Sequence, residues 1–394
     1  MWIWLKIFYI CIKKMNIERV IEKEILTRFF SKKAIIITGP RQAGKTTMIA
    51  KLLQPYLHET LILEGDDPNT VVMMNRPNTE QLRAIIGRSK VVFIDEAQKI
   101  PEIGLTSKII VDQFKDVQLV LSGSSSFDLM EKTQEPLTGR KWTFNLWPVS
   151  WEEWQNHFGY VKAEQDIENR LVFGCYPDVL MNPADQQIIL KELASSYLYR
   201  DVLMYAKIKK PEVLIKLLQA LSYQLGNEIS YNEIAALIQL DAKTVANYID
   251  ILEKAFVVYK LSAFSGNLRD EIKTNRKIYF YDNGIRNAVI GNYNPVQLRN
   301  DIGTLWENFL LSERLKFNQY HRIESSSFFW RTSQQQEIDY VEKQNDKIFA
   351  FQFKWNEKRK ASFSKTFTSN YNPETMVVNR LNFREFVIPH LPVL

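Results

Sequence analysis

Residues Gly39-Pro-Arg-Gln-Ala-Gly44-Lys45-Thr46 have the spacing of a phosphate-binding loop, between an apolar run and a stretch that begins a helix at Thr46 and Thr47. In such a loop Gly39, Pro40, Arg41, Gln42, Ala43, Gly44, Lys45, Thr46 and Thr47 wrap the phosphates of a nucleotide, here expected to be ATP. Backbone N–H groups face the phosphate oxygens, Lys45 pairs with the β- and γ-phosphates, and the Thr46 hydroxyl holds Mg²⁺. Fifty residues after Lys45, Val91-Val-Phe-Ile-Asp95-Glu96 is an apolar run closed by two acids, the pattern of a Walker B strand. Asp95 suits a second Mg²⁺ contact and Glu96 the general base that polarises the attacking water; alternatively Glu96 is only a helix-cap acid. Gln98 can help orient that water. Ser122 closes the next apolar run, either as a sensor between γ-phosphate and acids or as a hydroxyl that caps the following segment. Arg140, in Leu137-Thr-Gly-Arg140, is either an arginine finger, in cis or in trans, or a solvated loop residue.

These groups need a scaffold that brings several strand ends together. Ala34–Thr38, Leu61–Leu63, Val91–Asp95 and Val117–Ser122 are short, nearly continuous apolar runs separated by helix-length stretches. That alternation predicts an α/β domain with a parallel sheet buried on both faces, over residues 15–155. Trp142–Trp147 is a candidate fifth strand. Residues 156–221 read as a helical connector. Residues 222–290 read as a winged helix-turn-helix, with two helices over 228–255, Asp241 as N-cap and β-like pieces after them. Residues 300–394 form an expected α+β unit, with a helix from Trp306 to Leu315 and strands at 327–331, 337–342 and 347–355.

The second helix of the 228–255 pair exposes Lys243, Thr244, Asn247 and Tyr248, which can reach phosphates or base edges of double-stranded DNA. Arg269, Lys273, Arg276 and Lys277 follow in the wing and can add backbone contacts. The alternative is a protein-packing module with solvated basic residues, because Asp241, Asp250, Asp270 and Glu271 dilute the field. In the last unit, a two-residue turn at Asn345-Asp346 makes cross-strand partner numbers add to 691, setting Asp339 opposite Gln352. Lys354 shares that face, Phe349, Phe351 and Phe353 take the other, and Glu307 on the preceding helix can approach.

Taken together, Gly39–Thr47, Phe93–Pro101, Leu121-Ser-Gly-Ser-Ser and Leu137–Arg140 resemble the prokaryotic AAA-type ATP-binding proteins, in which the ATPase is followed by a winged helix and a PD-(D/E)XK nuclease-like domain. The resemblance extends through Tyr199–Asp201, Leu252–Val258, Lys277–Gly284 and Gln352–Trp355. It implies an ATPase with an AAA/ASCE-like sheet and a nuclease-like site of Glu307, Asp339, Gln352 and Lys354. The departure is Gln352, an amide where the pattern has an acid: its carbonyl brings no charge to a hard dication, so the nuclease-like fold is expected without cleavage. A plain Asp339–Lys354 cross-strand ion pair is the competing expectation.

The 394 residues are 45% hydrophobic and 24% charged, which excludes a collagen-like, disordered or multi-span membrane chain and leaves room for two or three domains. Two cysteines and four scattered histidines give neither zinc spacing nor a disulfide framework, so a reducing cytoplasm is expected. Residues 1–14 are apolar but carry three lysines, are too short for the roughly 20-residue span a membrane needs, and read as a mis-assigned leader before Met15. Without them the net charge falls from +6 to +3, a weak basis for nucleic-acid binding. The expected function is ATP hydrolysis coupled to DNA. The alternatives are a nucleotide-dependent protein-binding switch, as a homo-oligomer or with a protein partner, and an ATP-regulated nuclease; no membrane partner is expected.

Overall fold

The computed structural model describes residues 17–388 except 125, 196–210, 266–275, 333 and 360. The expected leader 1–14, the Tyr199–Asp201 motif, Arg269, Asp270, Glu271 and Lys273 lie outside the described residues. The chain divides into two units, one reaching Val149 and including Lys254–Phe256, the other made of Ser150–Glu253 and Val257–Leu394.

The first unit contains α1 (Ile21–Thr27), β1 (Ala34–Thr38), α2 (Lys45–Leu53), β2 (Thr60–Glu64), α3 (Pro68–Met74), α4 (Thr79–Ile86), β3 (Val91–Asp95), α5 (Ile103–Gln113), β4 (Gln118–Gly123), α6 (Ser126–Gln134) and β5 (Lys141–Asn145). Its five strands are all parallel in the order β2-β3-β4-β1-β5. Every residue of β1, β3 and β4 is buried, which is why these runs are continuous Ile, Val and Leu rather than alternating. Ile36, Ile94 and Leu121 are fully buried neighbours across the three central strands, each contributing about 1.5–3 kcal/mol of burial. Because β1 lies between β4 and β5, the chain leaving β1 turns into the crevice at the carboxyl ends of the strands, where open α/β sheets bind ligands.

The second unit begins earlier than residue 156. The Ser150 hydroxyl accepts from the Glu153 N–H and the Glu153 side chain bonds the Ser150 N–H, a capping box that opens a helix. Its elements are α7 (Trp151–Phe158), α8 (Tyr160–Phe173), α9 (Pro177–Met181), α10 (Pro211–Tyr223), β6 (Glu228–Ile229), α11 (Tyr231–Ile238), α12 (Ala242–Lys254, ending at the boundary), β7 (Val258–Ala263), β8 (Arg276–Phe280), α13 (Asn283–Ile290), α14 (Ile302–Tyr320), β9 (Ser326–Arg331), β10 (Glu337–Gln344), β11 (Lys347–Phe353), α15 (Lys365–Tyr371), β12 (Glu374–Val378) and α16 (Phe383–Val387). The segments expected as separate 222–290 and 300–394 domains are one sheet of seven strands, β12-β11-β10-β9-β7-β8-β6. The join is a short parallel pairing of Ser262 with Phe328 and Ala263 with Phe329. A hairpin connects β10 to β11 with Tyr340 opposite Phe351 and Gln344 opposite Lys347, the register expected from the two-residue turn, and Asn345 takes a left-handed φ of 52°.

Within this unit α7 is tied to α14 by a buried ionic link. The Trp151 N–H donates to Glu313 at 2.6 Å, and Glu313 pairs with Lys316 at 2.6 Å, both side chains being almost fully buried. Burial pushes the Glu313 carboxyl up while Lys316 opposes the shift. Removing one partner leaves the other buried without its nearest counter-charge. Glu313→Ala should therefore cost about 3–5 kcal/mol in chemical denaturation followed by tryptophan fluorescence, and Glu313→Met combined with Lys316→Met should recover most of it.

Candidate active site

The loop after β1 is shaped by two glycines. Gly39 has φ 147°, and a Cβ there would lie 2.0 Å from the Leu146 carbonyl oxygen. Gly44, at φ 96°, is the N-cap of α2 and aims the helix amino end back at the loop. Pro40 and Ala43 are buried, Arg41 is half-buried, Gln42 is exposed, and Thr46 and Thr47 are half-buried. The Lys45 ammonium donates to the Gly39 and Pro40 carbonyls, both at 2.9 Å. Arg19, which the sequence did not single out, secures the loop from outside. Its guanidinium donates to the Ala43 carbonyl at 2.9 Å and the Trp147 carbonyl at 2.6 Å.

The two acids arrive from the end of β3. Thr46 Oγ1 donates to Asp95 Oδ2 at 2.8 Å, and Ser122, at the end of β4, donates to Asp95 Oδ1. Two strand ends and the first turn of α2 therefore meet on one carboxylate. Ser122 is fully buried, so its hydroxyl faces Asp95 instead of capping the next segment. Glu96 stands in the left-handed region, φ 48° and ψ 39°. Its Oε2 accepts from the Gln98 amide at 2.5 Å and from Ser124 at 3.0 Å, and Gln98 reaches Ser124 at 3.3 Å. Ser124 was missed, although it stands two residues after Ser122. Glu64, opposite Asp95 in the β2–β3 register, adds to the negative potential at the strand ends; burial first, and then Asp95, raises its carboxyl.

Arg140 is not part of this group. Its carbonyl accepts from the Ala34 N–H at the start of β1, a five-residue strand of about 16 Å away from the loop, and its guanidinium pairs with Asp112 at 2.8 Å. A finger acting in cis is thereby corrected: the arginine lies at the amino ends of the strands, the loop at the carboxyl ends. On α12, Lys243 and Asn247 are exposed and Tyr248 is half-buried. The Thr244 N–H and hydroxyl both donate to Asp241, at 2.8 and 2.6 Å, which lowers the Asp241 carboxyl and confirms its place as a cap.

A second polar cluster forms in the seven-stranded sheet. Asp339 on β10 and Lys354 just past β11 approach to 3.7 Å, and Lys354 donates to Gln352 Oε1 at 3.1 Å. Glu307 on α14 accepts from the Tyr279 hydroxyl and lies 3.5 Å from the Lys277 ammonium, which also reaches Glu337 at 2.5 Å. Of the residues grouped from the sequence, Asp339, Lys354 and Gln352 touch one another, Glu307 faces Tyr279 and Lys277 with Asp339 acting on it electrostatically, and Tyr279 and Glu337 were not foreseen. Sequence reasoning also placed Lys277 at a DNA-contacting wing, whereas the side chain is 2% exposed. Burial disfavours the Lys277 charge, but Glu307 and Glu337 outweigh it and raise its pKa. Burial pushes Glu307 up to about 7, with Lys277 opposing and Asp339 adding to the rise, and burial also raises Asp339 against Lys354.

Residues 31–155 match the family model described as an AAA domain. Residues 164–295 and 302–388 match two models described as domains of unknown function, DUF8612 and DUF4143. The chain is 24% identical over 324 residues to an uncharacterized protein of Mycobacterium tuberculosis, covering 81% of this chain and 70% of that one. To an uncharacterized protein of Methanocaldococcus jannaschii it is 22% identical over 346 residues, covering 82% and 75%. Among solved structures it is similar to the Walker-type ATPase of Pyrococcus abyssi, with a TM-score of 0.50 and 13% identity over 70% of this chain and 96% of that one. The parallel five-stranded sheet, the loop and these likenesses support an AAA-type P-loop ATPase fold. Among the described residues, no helix is long and apolar enough to cross a membrane.

The Glu307 shift fixes a sign for pH dependence. Below the ordinary glutamate value near 4.5 the group is protonated folded and unfolded alike. As pH rises from there through about 7, the unfolded chain gives up a proton that the folded chain keeps, so this contribution to stability is lost. Denaturation at pH 5, 6 and 8 should show that Glu307→Gln, which cannot titrate, falls less across this window than the wild type.

Proposed function

We propose that the protein binds ATP with Mg²⁺ and hydrolyses it at the β1–α2 loop. The observation that carries this is the meeting of Thr46, Asp95 and Ser122 beside a glycine-shaped loop, with Glu96 next in the chain. The Thr46 hydroxyl and Asp95 carboxylate are the hard oxygen donors that Mg²⁺ takes, and the ion when bound neutralises phosphate charge. Backbone N–H groups of residues 39–47 orient the phosphates. Lys45 exchanges the Gly39 and Pro40 carbonyls for β- and γ-phosphate oxygens. Glu96 accepts a proton from the attacking water, and Gln98 and Ser124 set the angle of its carboxylate. Ser122 holds Asp95 in place.

Association with double-stranded DNA is proposed through Lys243 and Asn247, which are exposed on α12. A nucleotide-dependent switch is the second reading. It is favoured by the engagement of Lys45 with the Gly39 and Pro40 carbonyls, bonds that a bound nucleotide must replace. Arg140 enters either scheme only from another copy of the chain.

Steady-state ATP turnover by the full chain, with and without duplex DNA, separates these readings. Lys45→Ala should abolish turnover, and Glu96→Gln should lower it about 10²–10⁴-fold while ATP binding persists. A DNA-dependent rise that vanishes at high salt supports coupling to DNA. Turnover indifferent to DNA favours the switch, and wild-type turnover no greater than that of Lys45→Ala defeats the hydrolysis proposal.

A further inference from the structure

The nuclease-like resemblance implies a divalent cation between Glu307, Asp339 and Gln352, and the side chains present do not fit one. Gln352 is engaged at both ends: its amide donates to the Glu337 carbonyl at 2.7 Å and its Oε1 accepts from Lys354. Asp339 Oδ2 accepts from the Phe353 N–H at 2.7 Å and faces Lys354. Glu307 Oε1 accepts from Tyr279. Among the described residues, no group of three or more His, Cys, Asp or Glu side chains is arranged to hold a metal ion. What stands among these acids is an ammonium. Lys277 Nζ lies 2.5 Å from Glu337 and 3.5 Å from Glu307, and 5.2 Å over the Phe329 ring.

We propose that Lys277 is the resident cation of this cluster, held by Glu337 and Glu307 in place of a divalent ion and making the site metal-independent. Magnesium takes about six oxygens in a near-octahedral shell at about 2.1 Å, whereas an ammonium needs only acceptors for its three N–H bonds and gains further from an aromatic face. Two carboxylates and Phe329 meet the second requirement. A dication placed among the same oxygens would stand against both Lys277 and Lys354, and like charges in a buried site repel strongly. Lys277 comes from β8, outside the α14–α16 stretch that supplies the acids, and the β7–β9 pairing brings it there. This inference is independent of the ATPase proposal.

The test counts Mn²⁺ bound to the nucleotide-free, chelator-treated full chain by electron paramagnetic resonance, in an Asp95→Asn background so that the loop metal does not contribute. With Lys277 intact the cluster should bind no Mn²⁺. Lys277→Gln, which removes the charge but keeps hydrogen-bonding atoms, should gain one site, and adding Asp339→Asn should abolish it again. Mn²⁺ bound with Lys277 intact and lost on Asp339→Asn overturns the proposal, as does a folded Lys277→Gln protein that gains no site. Where Lys277→Gln fails to fold, Lys277→Met carries the same arm, and its failure to gain a site overturns the proposal in the same way.

Discussion

The Asp95 carboxylate is the constraint on which the candidate active site depends. Its two oxygens are held by Thr46, in the first turn of α2, and by Ser122, near the end of β4, so a single side chain ties the ends of β3 and β4 to the amino end of the helix that follows the loop. Such a contact needs strands that run the same way and finish together, which a parallel sheet supplies. The loop glycines then follow, because the backbone must pass within a Cβ radius of the Leu146 carbonyl to bring Thr46 to that carboxylate. Arg19 closes the arrangement by bonding carbonyls on both sides of the passage.

The second unit applies a different rule to its buried charges. Glu313 with Lys316, Glu342 with Arg314, and Glu307 and Glu337 with Lys277 are acid–base partnerships placed where hydrocarbon would otherwise sit. Glu342 with Arg314 joins β10 to α14, and Lys277 joins β8 to α14 through Glu307 and to β10 through Glu337, whereas Glu313 with Lys316 lies within α14 and reaches α7 through the Trp151 N–H. Buried pairs of this kind add little net stability but penalise any packing that separates them. The pairs that cross between elements therefore favour one register of the seven-stranded sheet, in which, among the described residues, two residue pairs join β7 to β9.

Much of this was legible in the sequence because it follows from short-range pattern. Continuous apolar runs mark strands buried on both faces, a glycine-spaced loop marks its own position between strand and helix, and a two-residue turn fixes hairpin register by arithmetic. The α12 cap at Asp241 was visible for the same reason. What stayed hidden depends on distant partners. Lys277 reads as a basic wing residue, and nothing local says that Glu307, thirty residues on, and Glu337, sixty on, will face it. Arg140 follows a glycine near the fifth strand, and only the strand direction shows that it faces away from the loop. The β7–β9 join is too short to leave a periodic signal. The Ser150–Glu153 capping box was readable, and it moves the first boundary from 155 to 149.

Glu96 holds a backbone conformation that a side-chain-bearing residue adopts at a cost of about 1 kcal/mol or more, and one that glycine or asparagine adopts readily. A substitution chosen for folding stability alone would favour glycine or asparagine here, as at other left-handed residues such as Gln42 and Gln239, and in doing so would remove the carboxylate beside Asp95. A chain that drifted under selection for stability only would lose Glu96 early and keep the sheet intact. With Glu96 as the proposed general base, the residue at position 96 in descendants of this protein reports whether selection still acts on that chemistry, where the conservation of the surrounding core reports only that the chain still folds.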